Sequence, residues 1–383
     1  MYNKKRTIII TALITLLCST VLFHFVLSHF IDKSYMIKRI IETNYDGDID
    51  SNKFEDYKVK GMVEALGDPH SMFLTKDEFE AFYSEVSGNY TGIGIEVYLN
   101  EQYQIEIISV FPDTPAFNAG LQVGDIIKSA GTIEATLENY SDLIRFMRGL
   151  SEEGGEGNTF TLTFERDGNE FSTEINRADI NVPTVSTKEF DGIYYVKVSG
   201  FADETERDFK SSIESAEISE KKGLIIDLRD NPGGTLESVV NIADYILPEG
   251  TIVYTSDKNG KKEYFNSDKS AVDIPIVVLI NENSASASEI LAAALHDNNK
   301  ATLIGKTTYG KGSVQNITLF PDGSALKLTV AHYYTPKGVC IDGIGINPDY
   351  EVELSDESKT KLISMLAYEE DTQLQKAVEF LTQ

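Results

Sequence analysis

Tryptophan is missing from the 383 residues, and cysteine occurs only at Cys18 and Cys340. Two cysteines exclude a disulfide scaffold and a Cys-rich zinc module. Cys18 lies in an apolar run and Cys340 near the far end, so no bridge between them is expected. Basic residues are also few: 34 Lys and Arg stand against 61 Asp and Glu, a net charge of −27. Nucleic-acid binding relies on Lys and Arg neutralising phosphates, so no nucleic-acid partner is expected. There is no His-Glu-x-x-His and no comparable ligand cluster, so neither a metal nor a cofactor is expected. Long internal repeats and low-complexity linkers are lacking too. What remains, 41% hydrophobic and 25% charged, is ordinary globular composition, long enough for roughly two or three domains.

Lys4, Lys5 and Arg6 precede a stretch from Ile8 to Leu27 with no Asp, Glu, Lys or Arg. Twenty helical residues span about 30 Å, enough for a bilayer core. The basic flank comes first, so the positive-inside rule puts the rest outside the cytoplasm. A cleaved signal peptide is the competing reading, but its apolar region is shorter and ends in small residues at the cut. Here the run leads into His24-Phe25-Val26-Leu27-Ser28-His29-Phe30. The expectation is a cytoplasmic flank over 1–7 and a single-pass signal anchor over 8–31, with the ectodomain outside the cell membrane.

Three textures follow. Residues 33–86 carry helix-like spacing, with Met36, Ile37, Ile40 and Ile41 on one face and a turn at Gly67-Asp68-Pro69-His70-Ser71. From Gly88 short alternating strands and glycine turns take over. Thr159 to Arg166 alternates into Asp167-Gly168, a hairpin signal. After about residue 180, Leu224–Leu228 and Ile276–Ile280 are almost wholly apolar and each is followed by a helical stretch. Strands of that kind are buried on both faces, as in a parallel sheet covered by helices. Ser355 to Leu381 reads as one or two amphipathic helices.

Three motifs carry chemistry. Gly92-Ile93-Gly94-Ile95, followed by Thr114-Pro115-Ala116, Ala119-Gly120-Leu121 and Gly124-Asp125-Ile126-Ile127, resembles a PDZ domain. Backbone N–H groups of the glycine segment would hold a peptide's terminal carboxylate, with the peptide added as a strand beside Ile95–Tyr98. The blander reading is a PDZ-shaped spacer. The second motif is Asp227-Leu228-Arg229-Asp230-Asn231-Pro232-Gly233-Gly234, a strand entering a turn whose N–H groups can face developing negative charge. The third runs from Asn281 through Ser284, Ser286 and Ser288 to Ile290, then from Gly305 to Gln315. A serine on a sharp strand-to-helix turn suits a nucleophile. Its base is open on this reading: His70, His296 and His332 compete with Lys311, whose neutral form burial would favour.

Ser-Ala-Ser-Ala-Ser-Glu, Tyr-Gly-Lys-Gly-Ser-Val-Gln and Asp-Leu-Arg-Asp-Asn-Pro-Gly-Gly, behind a PDZ pattern, closely resemble the carboxy-terminal processing peptidases, or tail-specific proteases. The resemblance runs from Asp68 to Asp349, and every catalytic position of the family pattern is matched. It implies a crotonase-like or Clp-protease-like α/β core over 180–350, a PDZ domain over 88–178, and helical segments over 33–86 and 355–383 that pair protomers into a homodimer. It further implies a Ser–Lys dyad of Ser286 and Lys311, 25 residues apart. Gln315 would orient the lysine, and Ala287 with Gly233 or Gly234 would form the oxyanion hole. Ser284 and Ser288 become N-cap and helix residues. The segment Ala292-Ala293-Ala294-Leu295-His296 departs from the pattern, where a Gly and a Gln are expected. The implied activity is serine endopeptidase action on unstructured or C-terminally recognised protein substrates, with the PDZ domain recognising free C-termini and gating access. The rival class is a membrane-tethered binding protein that has lost catalysis, which predicts loss of the serine or the lysine.

Overall fold

In the computed structural model, residues 13–17, 19–21, 33–100, 102–150, 158–269 and 271–383 are described. The expected anchor over 8–31 lies mostly outside them. No helix among the described residues is long and apolar enough to cross a membrane. The chain divides into two units, residues 1–75 with 318–327, and residues 76–317 with 328–383.

The first unit holds helices Lys33–Asn44 and Ser51–Glu64 and a strand, Met72–Leu74, that the helical spacing did not announce. That strand pairs antiparallel with Ala325–Lys327, and Phe73 meets Phe320 at 6.3 Å between ring centroids. Met36, Ile37 and Ile40 stay exposed on the first helix.

In the second unit, helix Lys76–Ser87 leads into a two-stranded ribbon of Asn89–Gly92 against Ala178–Asn181. Between those strands lies an antiparallel sheet in the order Ile95–Leu99, Ile105–Val110, Ile126–Ala130, Thr159–Arg166, Asn169–Asn176. Asp167 and Gly168 both take left-handed backbone (φ +51° and +74°) in the two-residue turn that pairs Arg166 with Asn169. Helix Tyr140–Met147 closes the core, its buried Leu143, Phe146 and Met147 packing with Ile107, Ile127 and Leu162. Arg177 lies between the Phe146 and Phe160 rings (4.8 and 4.7 Å) and donates to the Phe146 carbonyl. This is the β-rich module the glycine pattern announced.

A six-stranded sheet follows, ordered Val185–Phe190, Ile193–Val198, Gly223–Asp227, Ile276–Ile280, Ala301–Gly305, Tyr350–Glu351, parallel from its second strand onward. The apolar strands are buried at every residue because both faces are covered. Leu224, Ile226, Val278 and Ile280 pack with helices Thr205–Ser215, Leu236–Ile246 and Ala287–Asp297. Ile225, Val277 and Leu279, turned the other way by the strand's two-residue period, pack with Leu374, Ala377 and Val378.

The C-terminal segment takes the smaller of the two expected helix numbers. It is one α-helix, Thr372–Thr382, preceded by short 3-10 turns. Its apolar face is covered by its own chain's sheet. Ala292, Ala293, Ala294 and Leu295, in the segment that departs from the family pattern, are all buried on this helix.

Candidate active site

Strands Gly223–Asp227 and Ile276–Ile280 lie side by side and parallel, so their C-terminal ends release two neighbouring turns. In open α/β sheets this edge forms the crevice where ligands bind. The turns are laced together. Ser284 Oγ donates to the Leu228 carbonyl at 2.8 Å, and Ser288 Oγ donates to the Asn231 carbonyl at 2.9 Å. The Asn281 and Asn283 amides donate to Asp230 at 2.8 and 2.9 Å, with Asp230 in left-handed backbone at φ +60°. Ser284 is therefore a fully buried fastener between turns and not the helix N-cap expected for it.

The N-cap position belongs to Ser286, at φ +54° and ψ −112°. A non-glycine residue rarely adopts this backbone; the surrounding packing must hold it there, as at nucleophile turns. Ser286 is half-buried between buried Ala285 and Ala287. Gly233 comes close beside it. A Cβ built on Gly233 would stand 2.9 Å from the Ser286 Cβ and 3.1 Å from the Ala287 nitrogen. The Gly233 N–H itself donates to Asn231 Oδ1 at 2.8 Å. Among the described residues, the N–H groups of Ala287 and Gly234 have no acceptor.

Glu289, one turn into the helix and fully buried, ties this serine to the lysine segment. Its Oε2 accepts the main-chain N–H of Ser286 at 2.9 Å and that of Lys311 at 2.8 Å. Its Oε1 accepts Gly310 N–H at 2.7 Å and Thr308 Oγ1 at 2.5 Å. The flanking glycines allow the segment to lie against neighbouring backbone: side chains at Gly310 or Gly312 would strike the main chain at 343–345 or at Asp342. Lys311 is half-buried, and its Nζ has no hydrogen-bond or ion-pair partner among the described residues. Gln315 Nε2 donates to Ser313 Oγ at 2.9 Å and Thr329 Oγ1 at 3.3 Å.

The histidines find acids that are distant in sequence. His296 Nε2 lies 3.1 Å from Asp349, and His332 Nε2 lies 3.6 Å from Asp342. His70 belongs to the first unit, where its N–H donates to Asp68 Oδ1 at 2.9 Å.

A cavity of about 330 Å³ lies between the Gly92–Ile95 segment and helix Tyr140–Met147, with Ile144, Met147 and Arg148 on its wall. Ile95–Leu99 is the edge strand of its sheet, so its outer N–H and C=O groups can pair with an added strand. Gly94 is at φ +85°, and a side chain there would collide with Thr114. The Arg148 guanidinium lies 5.0 Å from the Tyr90 ring centroid, and its buried Nε has no hydrogen-bond partner. Burial pushes the Tyr90 phenol up, against the nearby Arg148 charge.

Two family patterns match the chain: "PDZ domain" at residues 91–176 and "Peptidase family S41" at residues 192–352. The probable CtpA-like serine protease of Staphylococcus haemolyticus is 33% identical over 355 residues, covering 90% of this chain and 70% of that one. The carboxy-terminal processing protease CtpA of Bacillus subtilis is 34% identical over 323 residues, covering 83% and 68%. This chain belongs to peptidase family S41. It is a serine protease, a hydrolase, as the motif resemblance implied. In fold, this S41 peptidase matches the photosystem II D1 C-terminal processing protease at TM-score 0.52 and 24% identity, covering 84% of this chain and 87% of that one. It matches a putative S41 protease from Bacteroides fragilis at TM-score 0.58 and 17% identity, covering 88% and 92%.

In this S41 peptidase, then, Gly233 on one turn comes against Ser286 and Ala287 on the next, and Lys311 is joined to the serine turn through Glu289. Gln315 lies two residues beyond Ser313 with its amide nitrogen turned to neighbouring hydroxyls. Sequence reasoning gave no role to Glu289 or Arg148. Glu289 had a signal: Ser286-x-x-Glu289 is capping-box spacing. Arg148 had none, because its role depends on what the folded groove leaves unpaired.

Proposed function

We propose that this S41 peptidase is a membrane-anchored, extracytoplasmic endopeptidase that cuts unstructured or C-terminally recognised proteins with a Ser286–Lys311 dyad. Residues 8–31 anchor it, residues 88–178 form the PDZ domain, 180–350 the peptidase core, and the segments 33–86 and 355–383 pair protomers into a homodimer. The observation that carries the dyad is Glu289 Oε2, which accepts both main-chain N–H groups, of Ser286 and of Lys311. One buried atom thereby sets the spacing of the two segments.

Ser286 Oγ attacks the scissile carbonyl while the neutral Lys311 amine takes its proton. The tetrahedral oxyanion faces the N–H groups of Ala287 and Gly234. Gly233 keeps the close approach while its own N–H holds Asn231. Collapse expels the leaving amine, protonated by Lys311, and leaves an acyl-enzyme. Water deprotonated by Lys311 then releases the acyl group. Gln315 Oε1 is the polar atom available to orient the amine. At the PDZ groove, the Gly92, Ile93, Gly94 and Ile95 backbone binds a terminal carboxylate in charge-assisted hydrogen bonds, and Arg148, whose Nε has no hydrogen-bond partner, places a cation on the groove wall.

Ser286→Ala and Lys311→Ala are each expected to abolish cleavage of an unfolded protein in chelator while melting cooperatively. The second reading, with His332 as base, is favoured by the His332–Asp342 pair and by Asp342 Oδ1 accepting the Gly312 N–H at 3.1 Å. Retained turnover in Lys311→Ala with loss in His332→Ala would select it. Equal rates on substrates with free and amidated C-termini would exclude carboxylate recognition. Full protection of the ectodomain from protease added to intact cells would exclude the anchor topology.

A further inference from the structure

The turn bearing Gly233 and Gly234 is held from an unexpected direction. Arg229 is fully buried, and all five of its guanidinium N–H groups are engaged. Nε donates to Asp227 Oδ1 at 3.0 Å, and Nη2 donates to Asp227 Oδ2 at 2.6 Å. The other side of the fork belongs to the C-terminal segment, 142 residues away. Asp371 accepts from Nη1 and Nη2 at 2.8 Å each, and Gln373 Oε1 accepts from Nη1 at 3.0 Å. Asp371 also caps helix Thr372–Thr382, accepting the Leu374 N–H at 3.0 Å. Lys197 Nζ donates to the Arg229 carbonyl at 3.2 Å and completes two cations for two carboxylates.

The apolar face of that helix already docks it on the sheet through Leu374, Ala377 and Val378. A buried ion cluster adds little net stability over apolar residues of similar size, because desolvation offsets the Coulomb attraction. What the cluster supplies is direction. A planar guanidinium gripped on both edges fixes the main chain one residue before Asp230, whose left-handed backbone begins the turn toward Gly234.

We propose that Asp371 is a positioning residue for the oxyanion turn, so that the C-terminal segment is a working part of the active site. The proposal rests on the reading that Ser286 and the Gly234 and Ala287 N–H groups perform the chemistry. Asp371 acts only through Arg229 and touches no substrate.

The test uses the full chain with Asp371→Asn and, separately, the triple change Arg229→Met, Asp227→Asn and Asp371→Leu, which removes the three buried charges of the cluster together. Both should melt cooperatively. KM for an unstructured peptide should stay within about threefold, while kcat falls by about 10²-fold, the scale of losing one oxyanion donor. A folded variant of either kind with kcat within threefold of wild type overturns the proposal. If neither variant folds, the cluster is a folding element and the proposal also fails. Ser286→Ala is assayed alongside. Activity in that variant sinks the reading of the site itself, whereas an inactive Ser286→Ala beside a fully active Asp371→Asn sinks only the role of Asp371.

Discussion

At the residue scale, Glu289 illustrates how a buried charge is tolerated when its lone pairs are filled. Four donors, from Ser286, Thr308, Gly310 and Lys311, converge on its two oxygens. Replacing one oxygen by an NH2 group sets donors against donors. Glu289→Gln is therefore expected to lower kcat by about 10²-fold, the scale of a 1 Å misplacement of reacting groups, while the protein stays folded. Steady-state kinetics with a circular-dichroism melt checks this. Ser288→Ala should behave differently. It removes one hydroxyl bonded to the Asn231 carbonyl, costing about 1 kcal/mol of stability and leaving activity within roughly tenfold of wild type. Its melting point and kcat measured together separate the two outcomes.

At the element scale, the junction of strand Gly223–Asp227 with the C-terminal helix should respond to acid. Burial alone would raise the Asp227 carboxyl. The charges of Arg229 and Lys197, with hydrogen bonds from Arg229 and Tyr195, outweigh it and hold the group well below the ordinary carboxylate range. A carboxyl depressed in the folded state stabilises the fold above its unfolded value, about 3.9, and loses that contribution as pH falls below it. Neutralising other carboxylates relieves repulsion in a chain of net charge −27 and works in the opposite direction. The comparison that isolates the junction is therefore wild type against Asp227→Asn. Between about pH 5 and pH 3, the wild-type melting temperature should fall more steeply than the variant's. Parallel profiles would show that the junction does not titrate with folding.

At the scale of the whole molecule, the PDZ domain enters and leaves through one ribbon. Val182 N–H donates to the Gly88 carbonyl at 3.0 Å, so the ends of an excision there already meet. Removing residues 89–181 and closing the gap with a short glycine link should leave the six-stranded sheet intact. If the empty PDZ domain blocks Ser286, basal cleavage of an unstructured substrate rises in the excised protein. In a passive tether, KM rises and kcat is unchanged. The first outcome is the one the proposed gating role requires, since a ligand can shift a domain between two positions only by its differential affinity for them.

What the sequence determined alone follows from periodicity and local turn chemistry. The two wholly apolar strands announced a sheet covered on both faces, and Asp167-Gly168 announced its hairpin. The serine–lysine–glycine phrases announced the family. Those signals are local, since each is written within a dozen residues. Tertiary structure decided the rest. It made Ser284 a fastener between turns, set the Gly233 N–H on Asn231, left Arg148 Nε unpaired in the groove, and brought Asp371 to Arg229. Each of these depends on which group ends up buried beside which. Burial makes a polar group seek whatever partner the packing offers, across any length of chain.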